Sequence, residues 1–516
     1  MKNYQYIKIA LLAISLLFIL PACSKSFLNV NPQGQITAQQ ALINDDAANQ
    51  AVAGVYNTLY FGSFGNTTVG LEWALLADVA SDDADKGSIP DDQNVNGAGD
   101  IDNFTVTPNN TYLNNIWNGH YIGIARANQA IDILNENTSL DTATRNRLLG
   151  EVRFLRGLYY FNLVRVFGGV PKVTRVPQPS ELNSDEFQTR ASVDTIYQVI
   201  IDDFLYGISH LPLKNGAGYQ IGRVTKGAAE AFLAKVYLYQ KNWQQAFNLT
   251  ADIINSNLYS LVPDYNLIWR EKPVNGEGGN NNSESIFEVE TGINTTSNAI
   301  SPNYSDGQGP RGKGGWNDLG FGLNDPSANL VNAYESGDTR MNATIIFINP
   351  TATAPAVSTG TVLWDGFRIP SLDSVQNPRY NYKAYHSNIL ESVQKDSSKD
   401  NKPKNIILMR YAEVLLIYAE SAAMISNSGE ATAKLNMVRA RANLGPSTGT
   451  QANIWKERRV ELAMEQDRFF DLVRQGRAGT VMRAAGKNFT DGKNEVFPIP
   501  QPQIDLSGGR LKQNNY

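Results

Sequence analysis

The sequence predicts a mainly helical protein interrupted by a long loop-rich part. Three observations lead there: apolar residues recur at spacings of three and four, one helix pair carries alanines where its helices would touch, and about 258–408 is dominated by turn-formers. From Asn146 to Phe167, Leu148, Val152, Leu155, Tyr159 and Leu163 fall on one face, and "GGVP" then ends the helix, glycine as a cap and proline barring continuation. Similar amphipathic stretches lie at about 38–60, 112–136, 192–209, 225–240, 243–257, 409–426, 429–443 and 451–475. The helical scaffold is therefore expected over about 38–257 and 409–475.

The alanine-bearing pair is "KGAAEAFLAKVYLYQKNWQQAFNLTADIINSN" (226–257), in which Ala228, Ala231, Ala234 and Ala246 allow close approach across the "QKNW" link. It resembles a tetratricopeptide unit, although the chain shows no strict repetition. In the loop-rich part, "NGEGGNNNSES" and "SPNYSDGQGPRGKGGWNDLGFG" are turn-formers, with short strands expected at "SIFEVE" (285–290) and "TIIFIN" (344–349). Loops this long inside a compact domain are usually either disordered or functional. Tyr304, Trp316, Phe321, Trp364, Tyr380, Tyr382 and Tyr385 lie among them. Such rings suit the C–H faces of sugars and equally suit packing on a scaffold.

Near the C-terminus, "RYAEVLLIYAESAAM" is apolar nearly all round and is expected to be buried, so Arg410, Glu413 and Glu420 need partners. Candidates are Arg439, Arg441 and the charges of "IWKERRVELAMEQDRFFDLVRQGR" (454–477). Glu465 and Arg468, like Asp471 and Arg474, stand three apart and are expected to meet on a helix face. Alternating signs on helices indicate a structural ion-pair network rather than an acid and base for catalysis.

The N-terminus carries Lys2 and Lys8, then an uncharged apolar run from Ile9 to Leu20, then Leu20-Pro21-Ala22-Cys23. Residues 1–22 read as an export signal. The last four resemble the lipobox of bacterial lipoproteins, which makes Cys23 the lipidation site; an ordinary secretory peptide with an incidental cysteine is the alternative. Cys23 is the only cysteine in 516 residues, so the exported chain has no disulfide and depends on packing. With 42% hydrophobic and 10% aromatic residues the composition supports a sizeable core. A net charge of −5 gives no reason to expect nucleic acid, and no second run is long enough to span a membrane, so membrane contact is expected through the lipid alone.

Asp92, Asn94, Asn96, Gly97 and Asp100 follow the order of a calcium loop, with Asn103 where a bidentate glutamate belongs. Calcium is thus one reading, a polar turn-rich loop the other, and no other cofactor is expected. His120, His210 and His386 are far apart, and no metalloprotease, phosphate-loop or serine-elbow motif occurs. A glycosidase needs only two carboxylates, which this reasoning leaves open.

"EVRFLRGLYYFNLVRVFGGVP", "RYAEVLLIYAESAA", "LNMVRARANL", "ERRVELAMEQDRFFDLVRQG" and "FPIPQPQIDLSGGRLKQNNY", in that order, resemble the SusD/RagB family of Bacteroidetes nutrient-binding lipoproteins over nearly the whole chain. The resemblance implies four tetratricopeptide-like helix pairs carrying an irregular, loop-rich subdomain. It implies an outer-membrane lipoprotein seated on a SusC-type TonB-dependent transporter, capturing an oligosaccharide, or less often a peptide, without covalent chemistry. A peptide- or protein-binding helical lipoprotein and a surface glycoside hydrolase are the alternatives. Exposed relatives often carry acidic residues after the lipidated cysteine, whereas "CSKSFLNVNP" has Lys25 and no carboxylate precedes Asp45; the family match favours the outer face. By resemblance, Trp316 in "GGWNDLG" is an aromatic platform and Asp82 and Asp83 border the site as acceptors for sugar hydroxyls; Phe61 and Phe64 are candidate flanking aromatics, and Tyr304, among the loop rings, is a further candidate ligand contact.

Overall fold

The computed structural model describes residues 45–60, 65–90, 96–291, 303–313, 320–350, 360–391 and 402–516. The export signal and Cys23 lie outside them. The principal helices are α1 (Asp45–Tyr56), α2 (Asn96–Asn103), α3 (Thr111–Glu136), α4 (Thr142–Phe167), α5 (Val193–His210), α6 (Lys226–Tyr239), α7 (Trp243–Asn255), α8 (Tyr411–Met424), α9 (Ser428–Arg441), α10 (Gln451–Glu461), α11 (Arg468–Arg474) and α12 (Gln501–Leu506).

Their starts are written locally. Asn110, Asp141, Ser192, Thr225, Asn242, Asn427 and Thr450 each accept a hydrogen bond from a first-turn backbone N–H, satisfying a donor that the helix itself leaves unpaired. Each long helix then packs on the next: α3 on α4, α4 on α5, α5 on α6, α6 on α7, α7 on α8 and α8 on α9. This is a helical-pair scaffold of the tetratricopeptide kind. Ala228, Ala231, Ala234 and Ala246 are all fully buried, as the α6–α7 pairing requires. In α8 every residue from Tyr411 to Ala422 is buried.

The charges around α8 find partners. Arg410 reaches Glu284 (2.7 Å), Glu461 (2.5 Å) and Glu465 (2.6 Å), Glu413 takes Arg458 (2.6 Å) and Lys235 (2.9 Å), and Glu420 takes Arg474 (2.9 Å). Arg441 joins the group through Glu284 (2.9 Å), whereas Arg439 turns instead to Glu335 and Glu457.

One expectation fails. The stretch 451–475 is not one helix: α10 ends at Glu461, Met464 and Gln466 take left-handed backbone (φ 62° and 68°), and α11 begins at Arg468. Glu465 and Arg468 therefore do not meet; Glu465 pairs with Arg410 and Lys383, and Arg468 with Asp82. Asp471 and Arg474, inside α11, do pair, at 2.5 Å.

The described strands are β1 (Ala84–Gly87), β2 (Ser285–Val289), β3 (Leu323–Pro326), β4 (Ile345–Phe347), β5 (Thr361–Val362), β6 (Arg368–Ile369), β7 (Arg379–Asn381) and β8 (Ile406–Arg410). They form antiparallel two-stranded ribbons, β1·β3, β2·β8, β4·β7 and β5·β6. "TIIFIN" is extended only over Ile345–Phe347, because Arg340–Thr344 is a helical turn. β8 runs directly into α8, so its pairing with β2 fastens the loop-rich part to the scaffold. That part has a small core of its own, built on Ile346, Ile348, Leu363, Ile369, Val375, Tyr380 and Tyr385.

Candidate functional site

The β1·β3 ribbon, with Ala84 opposite Pro326 and Gly87 opposite Leu323, brings three loops together at one end. Ser88 donates its backbone N–H to Gly322. The Arg311 guanidinium donates to the Ser88 hydroxyl at 2.7 Å, and the Asn377 amide donates to the Ser88 carbonyl at 3.3 Å. Residues 309–313 and 320–322 lie side by side through Gly320 N–H to Pro310 (3.0 Å) and Gly322 N–H to Gly309 (2.9 Å). A Cβ at Gly320 would stand 2.2 Å from the Asp306 carbonyl, so this closeness requires glycine. Across from them, Gln376 donates to the Arg311 carbonyl (2.9 Å) and Lys313 to the Ser374 carbonyl (2.7 Å).

The result is a polar rim of Ser88, Arg311, Lys313, Gln376 and Asn377 beside the half-buried ring of Phe321. Guanidinium, ammonium and amide groups supply hydrogen-bond donors and Phe321 an apolar face, a mixture suited to a hydroxyl-rich ligand. The sequence reading named Phe321 but passed over Arg311, Gln376 and Asn377. Arg311 stood inside a quoted turn-forming stretch, and "QNPRY" carried a turn signal at Asn377.

Behind the rim is a buried amide network. Asn324 donates to Asp78 (2.9 Å) and Gln308 (2.8 Å), Asn381 donates to Gln308 (2.8 Å), and the Gln466 N–H donates to Asp78 (2.9 Å). Burial pushes the Asp78 carboxyl up to about 7 against the hydrogen bonds from Asn324 and Gln466.

Asp82 and Asp83 stand at the foot of β1, 3% and 1% exposed. Asp82 is gripped by Arg468 (2.8 Å) and Arg459 (2.8 Å), and Asp83 by Arg459 (2.7 Å). Burial opposes the ionised form of Asp82, yet the Arg468 and Arg459 guanidiniums hold its carboxyl below the ordinary value. The expectation that these carboxylates face sugar hydroxyls is corrected by this geometry: they are internal and committed to arginines, and they fix the ribbon that carries the rim. Tyr304 is also buried, at 7% exposed, under the same ribbon. Tyr380 and Tyr385 belong to the small core, and Trp364 lies under the Arg270 guanidinium at 3.7 Å. Trp316, Phe61, Phe64, Asp92 and Asn94 lie outside the described residues.

Of the calcium pattern, residues from Asn96 to Asn103 form α2. From its fifth position onward the segment is helical, whereas a calcium loop wraps its cation with alternating ligands, so the loop reading does not match the backbone. Asp100 accepts instead from Thr105, at 3.0 Å. No cluster of metal-ligating side chains occurs among the described residues.

A mainly helical scaffold of stacked pairs bearing a loop-built rim is the architecture of the SusD-like glycan-binding class. The chain belongs to the SusD/RagB family. The SusD family model matches residues 283–516, and a second model, described as starch-binding associating with outer membrane, matches residues 27–238. SusD-like protein P2 of Formosa agariphila is 27% identical, covering 100% of this chain and 99% of its own length. Among solved structures, a laminarin binding SusD-like protein is 28% identical with a TM-score of 0.75, covering 92% of this chain and 99% of the other. Surface glycan-binding protein A from Bacteroides thetaiotaomicron, in complex with laminarihexaose, is 26% identical with a TM-score of 0.78, covering 92% and 100%.

Proposed function

We propose that this protein is a glycan-binding lipoprotein of the outer membrane, which captures an oligosaccharide or polysaccharide at the rim and delivers it to a SusC-type TonB-dependent transporter. The observation that carries the reading is likeness over 92% of the chain to a laminarin binding SusD-like protein and to a glycan-binding protein solved with laminarihexaose. The rim supports it with donors and an aromatic face beside the β1·β3 ribbon, the combination that holds a neutral sugar by stacking and hydroxyl hydrogen bonds. In this reading Cys23 carries the lipid, the protein faces the cell exterior, and no covalent step occurs. No helix among the described residues is long and apolar enough to cross a membrane, which fits attachment through lipid.

The test is a polysaccharide screen of the chain from Ser24 onward, with reducing ends assayed in parallel. Saturable binding without reducing-end release is expected. Release abolished by a single carboxylate substitution would establish a hydrolase instead, and binding to peptides alone a peptide carrier. Labelled lipid retained at Cys23, together with protease sensitivity on whole cells, is the expected result for the anchor and its orientation.

A further inference from the structure

A second cleft, of about 680 Å³, lies away from the rim, between α3, the segment following α4 and the C-terminal helix α12. That volume falls in the range of small-molecule sites. Trp117 and Tyr121, one turn apart on α3, line it with ring centroids 5.0 Å apart, and Phe187 faces them from the other wall. Amides complete it. Gln503 on α12 donates to both Asn114 (3.0 Å) and Asn118 (2.9 Å) on α3, which leaves the Gln503 Oε1 and the Asn118 Nδ2 without a partner among the described residues. Leu506, 76% exposed, stands at the lip.

The lining is selective by what it contains. None of the residues that line the cleft carries a charge at neutral pH, in a chain that is 18% charged, and Arg175, over the Phe187 ring at 4.7 Å, is taken up by Glu181 and Glu186. A charged ligand would lose hydration with no counter-charge to replace it. A wholly apolar ligand would leave the amides unpaired. A peptide that adds as a strand finds no sheet edge here, since these walls are helices and a loop, and peptides bound in any other way are an outcome of the test. A pyranose chain has apolar C–H faces for the rings and hydroxyls that both donate and accept for the amides.

We infer that the cleft between α3 and α12 is a second carbohydrate site, for a neutral oligosaccharide, separate from the rim. Its ligand class follows from the lining, so it stands or falls apart from the first site.

Hydrogen exchange of the chain from Ser24 onward, with laminarihexaose, cellohexaose, maltohexaose, mannohexaose and xylohexaose at millimolar concentration, tests it. An anionic oligogalacturonate and a neutral hexapeptide are the comparators. At least one neutral hexaose is expected to slow exchange in α3 and α12. Ala125→Lys, at an exposed position lining the cleft, places a charged chain in it and is expected to weaken that protection on the order of tenfold, or about 1.4 kcal/mol. Leu506→Asp at the lip should act in the same direction, and neither should disturb protection at 309–322. Protection of 309–322 alone, protection that survives both substitutions, or a response to the peptide or oligogalacturonate but to no neutral hexaose would each overturn the inference. Loss of protection at 309–322 with the cleft still responding would instead count against the rim.

Discussion

Arg340 and Glu461 meet at 2.8 Å with both side chains wholly out of solvent. Arg340 also holds Asp338 (2.7 Å) and Glu457 (2.6 Å), while Glu461 also receives Arg410 (2.5 Å) and Arg441. Burial disfavours the Glu461 carboxylate, and the surrounding arginines overcome this and hold it well below the usual range. The cluster ties α10 and β8 to the loop-rich residues 338–340. Glu461→Gln removes the anion that Arg340, Arg410 and Arg441 share and leaves the three buried guanidiniums with only Asp338, Glu457, Glu284 and Glu465 between them. A loss of about 3–5 kcal/mol is expected, read as a lowered denaturation midpoint in urea.

Asp82 separates support from contact. Because Arg468 and Arg459 hold it inside the fold, Asp82→Ala should cost about 3 kcal/mol of stability while the folded fraction keeps its glycan affinity. Denaturation curves and binding isotherms on one preparation check both halves. A large affinity loss without destabilisation would return Asp82 to the ligand.

At the rim, Arg311→Ala removes the guanidinium donated to Ser88; Trp316→Ala, outside the described residues, removes the platform expected from the sequence. Each should weaken binding on the order of tenfold, about 1.4 kcal/mol, with little change in melting temperature. Calorimetric titration of the bound polysaccharide measures this.

Two sets of carboxylates act oppositely on pH. Burial raises Glu72 and Asp78 to about 7, so their folded forms bind protons more tightly than the unfolded chain does. Their contribution is fully present below the ordinary carboxylate range and is lost as pH rises toward 7. Glu461 and Glu465 are lowered despite burial, by Arg441, Arg410, Arg340 and Lys383, and their contribution is lost as pH falls below the ordinary range. Melting temperature should therefore peak within the ordinary carboxylate range, at about pH 4. Asp78→Asn should flatten the decline on the alkaline side, as a series of thermal melts will show.

The helices were legible because a period of three to four and a capping side chain are both local. The break between α10 and α11 was not. "LAMEQD" contains good helix formers, but the Gln466 N–H is drawn to Asp78 and the Glu465 carboxylate to Arg410, and these tertiary bonds override propensity. The site was legible as a region and less so as residues. "ASDDADKG" reads as solvated because it is charged, and the arginines that take Asp82 and Asp83 inward lie 386 and 376 residues away. Pairing at such separation leaves no periodic trace. Rings in the loops declared their need for a surface, though not whether that surface was ligand or protein.

The Asp82–Arg468 pair also spans most of the chain, a long-range contact of the kind that slows folding. A chain made from its N-terminus exposes β1 early, but the guanidinium that fastens β1 is 386 residues downstream, beyond the whole stacked scaffold. Closing a contact of that span comes late and slowly. A chain interrupted before α11 would therefore hold most of its helices and the residues of the rim, but not the Arg468 guanidinium that fastens β1.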